Sequence, residues 1–498
     1  MSKGRVVIIG SGLGGLSCGV ILAANGYKVT ILEQSSVPGG CLQCFSRRGV
    51  KFETGMHYIG SAAPGQTLDR LLGFLGVRKD ITLSRLDSSG YDIISIGGQA
   101  YPIANGREPF IETLGRYFPS EKDSLVEYFD TVDTISEASA MQSLNFAGTN
   151  TADILKYQLS SVGEIMDSII KEPMLSSVLS GNLPLYAGVR DKTPFATHAF
   201  IRKFYNNSAF RIAGGSDTIA ESLIHTLQKL DGQLLTSHKV TRIVCKDSLA
   251  TGVLAGDEFF PADVVISDAH PALTVGFFEE GVLRPAFKKR VLAAPQTVGA
   301  FCLYLDFKEG QVPYMNSNYY FYKKDTPWGC EDYSEDSWPE GGLYMHFCHK
   351  KEPSFAASGV VISYMKAEDL APWNDTLSGR RGESYEAFKT SKAEKLLDLL
   401  ERHFPGIRGK IAHYYTSTPL TNRDYTGCPE GSMYGILHDV NLGPATRISH
   451  RTRVPNVLQT GQNINSHGIL GVLVGTIITC SELLGAENLF SQIRRVQL

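Results

Sequence analysis

Val6-Val7-Ile8-Ile9-Gly10-Ser11-Gly12-Leu13-Gly14-Gly15 is the stretch on which the fold turns. Four apolar residues in a row, without alternation, predict a strand buried on both faces. Gly10, Gly12 and Gly15 then give the G-x-G-x-x-G spacing between a buried strand and a helix, the context a dinucleotide-binding turn requires. Gly10 permits the tight turn, Gly12 lets backbone approach a pyrophosphate, and Gly15 lets helix and strand pack closely. A small-residue helix is expected from Gly14 to Asn25, stopped by Gly26. Its N-terminus offers unpaired N–H groups to phosphates. A second buried strand, from Val29 to Leu32, ends at Glu33, 23 positions after Gly10. A carboxylate there accepts hydrogen bonds from an adenosine ribose and repels a 2′-phosphate. The pattern fits FAD or NAD, and not NADP.

Working outward, two further stretches share this α/β character. From about Gly214 to Thr274, a helix with Leu223, Ile224, Leu227 and Leu230 on one face precedes short strands at Leu234, Val240–Val244 and Val264–Ser267. From Asn456 to Leu484 the order is strand, Gly-rich turn, helix. The segments between differ. Residues 76–205 read as mostly helical. Residues 291–440 mix aromatic strands, such as Tyr319-Tyr320-Phe321-Tyr322, with one clear helix from Glu386 to Phe404 that Pro405 and Gly406 end. The expected fold class is α/β: a Rossmann-type domain assembled from 1–75, 206–290 and 441–498, with a mixed α+β substrate domain inserted as 76–205 and 291–440.

Composition excludes several classes. The 498 residues are 43% hydrophobic and 20% charged, as in a folded globular chain. Lys plus Arg is 48 against 51 for Asp plus Glu, a net charge of -3, which makes no electrostatic case for nucleic acid. Nine scattered Cys form no disulfide framework and point to a reducing, cytoplasmic setting. Met1 to Arg5 leads straight into a strand, so no signal peptide is expected. The longest apolar run, Gly468 to Leu484, is interrupted by Gly471, Gly475, Thr476, Thr479 and Ser481 and reads as a buried helix rather than a span.

Between the two cofactors, the sequence after Glu33 favours FAD. Pro38-Gly39-Gly40 closes a short loop, and near the C-terminus Thr460-Gly461-Gln462-Asn463 precedes a Gly-rich helix start. A second approach of backbone suits the larger flavin cofactor. With these motifs in place, the whole chain resembles the phytoene desaturase, carotenoid isomerase and retinol saturase group of FAD-dependent oxidoreductases. It is most similar to the retinol saturase branch in three runs: Phe52 to Gly60; Thr418-Pro419-Leu420-Thr421 with Tyr425, Pro429, Gly431, Tyr434 and Gly435; and Thr460-Gly461-Gln462. The resemblance implies that Gly10, Gly12, Gly15 and Glu33 hold the ADP half, that the Val240 backbone meets the adenine side, and that Gly461 and Gln462 approach the flavin. The remaining candidate cofactor contacts are Leu13, Gly14, Gln34, Gly39, Gly40, Gly55, Met56, His57, Gly471 and Val472. One departure stands out: many relatives, especially amine oxidases, carry Arg or Lys after the Gly-Gly pair, whereas here it is Cys41, as is also seen in the retinol saturase branch. A charged contact is therefore missing or comes from Arg47 or Arg48.

The implied activity is oxidation or reduction of carbon–carbon double bonds in a long apolar isoprenoid, carotenoid or retinoid-like substrate, with saturation favoured. The electron donor or acceptor is unidentified. A peripheral contact with the inner face of a membrane, through an apolar patch in 76–205, is expected. Rivals are a desaturase or cis–trans isomerase with the same cofactor, and a non-catalytic flavin-bearing lipid-binding protein. Saturation needs a proton donor beside the hydride source. His57 is the first candidate because an ordinary imidazole titrates near neutrality, with Tyr58, Tyr425 and His467 (and Asp424) as alternatives. Glu53 reads as a loop carboxylate accepting backbone N–H bonds. Cys41-Leu42-Gln43-Cys44 reads as small buried thiols rather than a redox dithiol or metal site. His346-Phe347-Cys348-His349 reads as strand surface, and no metal site is expected. Tyr314 to Tyr322, with Trp328 and Trp338, is the candidate lining for a lipid tunnel.

Overall fold

The computed structural model describes residues 3–139, 151–348 and 353–496. Five short strands form one parallel sheet in the order Gln233–Leu235, Lys28–Leu32, Arg5–Ile9, Val264–Ser267, Val457–Gln459. Alternation along the first strand explains its unbroken apolar run. Val6 and Ile8 face a layer of helices, while Val7 and Ile9 face a second β layer. The helix layer places Leu13–Ala24 between Asp217–Lys229 and Gly468–Leu484. The β layer is an antiparallel meander, Val240–Lys246, Leu249–Ala255 and Glu258–Pro261. This is the Rossmann-type α/β unit expected from the fingerprint.

The second unit is built on a seven-stranded sheet: Ile411–Ser417, Gly299–Phe307, Ser358–Met365, Gly341–Phe347, Asn318–Tyr322, Asp92–Ile96, Gln99–Ile103. All neighbours are antiparallel except Asn318–Tyr322 with Asp92–Ile96. The 21-residue helix Glu383–His403 packs on one face and a helical group from Arg107 to Asn207 on the other.

The segment 76–205 is less purely helical than its sequence suggests. It gives two strands to the seven-stranded sheet. A third, Thr82–Arg85, pairs with Ala209–Ala213, so the boundary drawn at 205/206 runs through a sheet. These pairings join positions far apart in sequence, which local periodicity does not carry. The helix Gly468–Leu484 is buried against Leu13–Ala24, and among the described residues no helix is long and apolar enough to cross a membrane.

Candidate functional site

The carboxyl ends of Arg5–Ile9, Lys28–Leu32, Val264–Ser267 and Val457–Gln459 open onto a cavity of about 1030 Å³ that continues to the seven-stranded sheet. Its lining carries the sequence-predicted cofactor contacts, with the fingerprint glycines at the end nearest the parallel sheet. Gly10, Gly12, Leu13, Gly14, Glu33, Gln34, Gly40, Gly55, Met56, His57, Val240, Gly461, Gln462 and Val472 all line it. The glycines are there because the backbone is packed too closely for a side chain. A Cβ on Gly15 would lie 2.2 Å from the Gly10 carbonyl oxygen, and one on Gly14 would lie 2.9 Å from the Gly461 nitrogen. Gly10 and Gly461 also hold φ near 95° and 93°, the left-handed region.

Gly15 and Gly471 act from behind the lining, as packing glycines. A Cβ on Gly471 would meet the Ser466 carbonyl at 2.6 Å. Gly39 likewise sits one layer back, its N–H donating to Ser11 Oγ at 3.2 Å.

Glu33 does more than the sequence implies. Its Oε2 accepts from the Ser11 N–H at 3.0 Å and the Ser11 hydroxyl at 2.7 Å, and its Oε1 accepts from the Ser35 N–H at 2.8 Å. It therefore ties the fingerprint turn to the second strand. A carboxylate has about four acceptor positions, which leaves room for ribose hydroxyls. A bare glycine turn, a helix N-terminus and a lining carboxylate together fit the ADP half of a dinucleotide.

The other end is an aromatic and aliphatic chamber. Phe45, Tyr205, Tyr304, Leu343, Ile362, Tyr415 and Tyr434 line it, mostly from the seven-stranded sheet. None of Tyr314 to Tyr322, Trp328 or Trp338 is on the lining. Trp338 is 1% exposed and donates its Nε1–H to the Tyr364 carbonyl at 2.7 Å, so it is core. Tyr319 and Phe321 point to the opposite face of the sheet, against His403.

Tyr58 stands on the lining with its hydroxyl in a buried polar cluster. The hydroxyl is 2.7 Å from that of Tyr320 and donates to Asp92 Oδ2 at 3.3 Å. Asn318 Nδ2 donates to Asp92 Oδ1 at 2.8 Å, and Arg211 Nη2 donates to the Asn318 side-chain Oδ1 at 2.9 Å. Burial pushes the Asp92 carboxyl up to about 7, against the opposing pull of Asn318, Arg202, Tyr58 and Arg211. The cluster therefore holds an exchangeable proton near neutrality beside a lining phenol.

His57 does not supply one in the way an ordinary imidazole would. Burial, with the Arg211 charge beside it, lowers its pKa to about 3, and its Nδ1 is buried without a hydrogen-bond partner. At neutral pH it is a neutral ring. His467 is off the lining, its ring tilted 34° to that of Tyr434 with centroids 4.4 Å apart, and is lowered to about 3 by burial and by His438. Tyr425 is on the lining but at its mouth, 57% exposed. Asp424 is committed to ion pairs with Arg381 and Arg423.

Glu53 is the structural carboxylate expected, accepting from the Ser216 N–H at 3.2 Å and the Ser216 hydroxyl. Cys41 opens onto the cavity, enclosed by its walls rather than packed into core, while Cys44 points at Glu53. Burial pushes both thiols up to about 12, which keeps them from acting as thiolates. Arg47, not Arg48, reaches the lining. His346 is core and not strand surface: it is 4% exposed, accepting from the Met315 N–H at 3.0 Å and lying 2.6 Å from the Tyr344 hydroxyl, because its strand is covered on both faces. His349 lies outside the described residues. Among those described, no group of His, Cys, Asp and Glu forms a metal site.

Sequence reasoning missed Asp268, Asp92, Tyr320 and most chamber aromatics. A signal existed for Asp268: it follows the strand Val264–Ser267 at the carboxyl edge of a parallel sheet, where ligands bind. Asp92 had none, because its place depends on the register that sets it opposite Asn318.

The sequence profile of flavin containing amine oxidoreductases matches residues 13–380. The chain is 28% identical to the all-trans-retinol 13,14-reductase of Homo sapiens, over 99% of this chain and 87% of that one. It is 25% identical to prolycopene isomerase 1, chloroplastic, of an Oncidium hybrid cultivar, over 97% and 84%. Among solved structures, wild-type putrescine oxidase bound to putrescine superposes with a TM-score of 0.66 at 14% identity, covering 97% of this chain and 99% of that one. An oxidoreductase from Methanosarcina mazei gives 0.64 at 16%, covering 96% and 100%. At such identities these two structures speak for the fold alone. The profile match spans most of the chain and includes the helix that follows the fingerprint turn, and this chain therefore belongs to the flavin containing amine oxidoreductase family.

Proposed function

We propose that the protein is an FAD-dependent oxidoreductase that saturates a carbon–carbon double bond in a long apolar, isoprenoid-type substrate. The observation that carries this reading is the continuity of one cavity: a bare glycine cradle at one end and an apolar chamber with a buried phenol–carboxyl cluster at the other. The full-length likeness to retinol reductases and prolycopene isomerases supports the substrate class. FAD, when bound, supplies or accepts the hydride.

The chain's own residues do the rest. Tyr304, Leu343, Ile362 and Tyr415 exclude water and orient a polyene by apolar contact. Tyr58 delivers the proton to the second carbon and is recharged by Asp92, with Tyr320 and Asn318 holding the geometry. His57 faces the same space as a neutral ring with an open nitrogen. We place the protein in the cytoplasm, docked peripherally on the inner face of a membrane. Leu155 and Leu159, exposed on the helix Thr151–Leu159, offer an apolar contact. In a flotation gradient the membrane-bound fraction should be removable with carbonate, and a fraction released only by detergent would contradict peripheral docking.

The deciding experiment is anaerobic. Photoreduced holoprotein should be reoxidised by a retinoid or carotenoid polyene with formation of the dihydro product. Oxidation of the polyene by the oxidised flavin would instead indicate a desaturase. Isomerisation without net flavin turnover would indicate an isomerase, and no flavin response to any apolar ligand would indicate a binding protein.

A further inference from the structure

Asp268 is the residue on which the dinucleotide end of the cavity converges. Its N–H donates to the Ile9 carbonyl at 2.8 Å, which fixes it at the end of the fingerprint strand. Its side chain lies among three glycines from two separate segments. A Cβ added to Gly12 would lie 2.5 Å from Asp268 Oδ2, one on Gly14 2.5 Å from Oδ1, and one on Gly461 2.4 Å from Oδ1. A carboxyl group thus sits where the first turn of the helix Leu13–Ala24 presents its free amides, the place that favours an anion.

Two groups facing Asp268 favour its charged form, and burial and a neighbouring carboxylate oppose it. From the helix, the Gly15 and Gly12 amides point toward it. From the strand Lys28–Leu32, Glu33 adds a second negative charge, and from the loop at Gly40–Leu42 comes the Cys41 thiol. His270, two residues on, is turned to Gln296 at 3.2 Å and is itself lowered to about 4 by burial. No arginine or lysine pairs with Asp268 among the described residues. Burial, followed by the Glu33 charge, outweighs the amides and raises the carboxyl to about 7.

A dinucleotide's diphosphate would bring further negative charge to these same amides. Two anions on one set of donors disfavour the ionised carboxylate, whereas a protonated carboxyl can donate to a phosphate oxygen. We propose that Asp268 links cofactor affinity to pH: its carboxyl group is protonated when the dinucleotide is bound, so binding takes up one proton from solvent and release returns it. This rests on the dinucleotide reading of the glycine cradle. No electrons move, and the only exchange is the proton between Asp268 and water.

The sign follows from linkage. Below about pH 7 the carboxyl is already neutral in the free protein. Above it a proton must be bought from solvent with each cofactor bound, so affinity falls by up to about tenfold per pH unit. The test uses purified holoprotein diluted into buffers from about pH 6 to about pH 9, with released FAD read by its fluorescence. The wild type should hold FAD about equally up to neutrality and progressively less above it. At about pH 8.5, well above neutrality, a pH-indicator dye in weak buffer should report about one proton released per FAD lost.

Asp268→Asn keeps the shape and removes the charge. It should hold FAD with no such slope, and more tightly than the wild type at about pH 8.5. A wild-type affinity that is flat across this range, or the same slope in Asp268→Asn, overturns the proposal while leaving the dinucleotide reading intact. Should Asp268→Asn not fold, the proton count on the wild type decides alone, and a count near zero overturns the proposal. A wild-type chain that binds no FAD at any pH overturns the dinucleotide reading itself.

Discussion

At the dinucleotide end of the cavity, six consecutive residues, Gly10 to Gly15, form the turn, and backbone atoms make the surface. At the chamber end, side chains from strands at 299–307, 341–347, 358–365 and 411–417 meet, and backbone is hidden. The first end is specified by the absence of side chains at a few local positions, so it tolerates almost no substitution. The second is specified by the summed shape of many side chains, so single changes there tune rather than destroy. The difference teaches where to look: cofactor choice is written in a short stretch, whereas substrate choice is spread over the fold.

The sharpest way to break this comparison is a methyl group. Gly15→Ala puts a Cβ 2.2 Å from the Gly10 carbonyl, backbone against backbone, with no flexible side chain to yield. The helix must move off the strand, at a cost of at least about 3 kcal/mol, the upper part of the usual overpacking range. Thermal unfolding should show a large drop in Tm together with loss of bound flavin. A Gly15→Ala protein that keeps both would mean the fingerprint turn is more pliable than its contacts imply.

The next largest effect tests the chamber. Tyr58→Phe removes one hydroxyl from the cluster with Tyr320 and Asp92. Flavin retention should be unchanged, while turnover of a polyene should fall about 10²–10⁴-fold, the contribution of acid catalysis. With FAD saturating, wild-type turnover should also fall as pH rises through about 7. Asp92 gives up its proton there and changes from a donor feeding Tyr58 into an acceptor holding its hydroxyl. Single-turnover measurements across pH check both. An unchanged rate in Tyr58→Phe would move the proton donor elsewhere in the chamber.

The two ends also differ in how much of them the sequence discloses. The Rossmann unit, the cofactor glycines and Glu33 are legible because each rests on local spacing: a buried strand, a tight turn and a helix within the first 33 residues. The chamber is not, because strand residues alternate between faces and only the register decides which face meets which layer. Tyr320 reaches Tyr58, while its neighbours Tyr319 and Phe321 pack on the helix Glu383–His403. His346 reads as surface until both faces of its strand prove covered. His57 and His467 could donate a proton near neutrality only with an imidazole's ordinary pKa, and burial removes that property in both. A motif names a residue type, but the dielectric around it comes only with the fold.

The smallest expected effect separates position on the lining from participation in the chemistry. Tyr425 belongs to a run that resembles a family motif and touches the same cavity as Tyr58, so sequence alone makes the two phenols equal candidates. Their surroundings do not. Tyr58 is 4% exposed and bonded into a cluster with Asp92, whereas Tyr425 is 57% exposed at the mouth. Water reaches Tyr425 directly, so a proton at the mouth need not pass through its phenol, and the bonds it makes there exchange freely with solvent. Exposed substitutions typically change stability by no more than about 0.5 kcal/mol, and half a kilocalorie in a barrier is a rate factor of about two. Tyr425→Phe should therefore keep polyene turnover, flavin retention and Tm close to wild type, with the rate within about twofold. A loss approaching that of Tyr58→Phe would mean that proton delivery occurs at the mouth, that the polyene reacts near the solvent edge, and that the buried cluster around Asp92 only shapes the chamber wall.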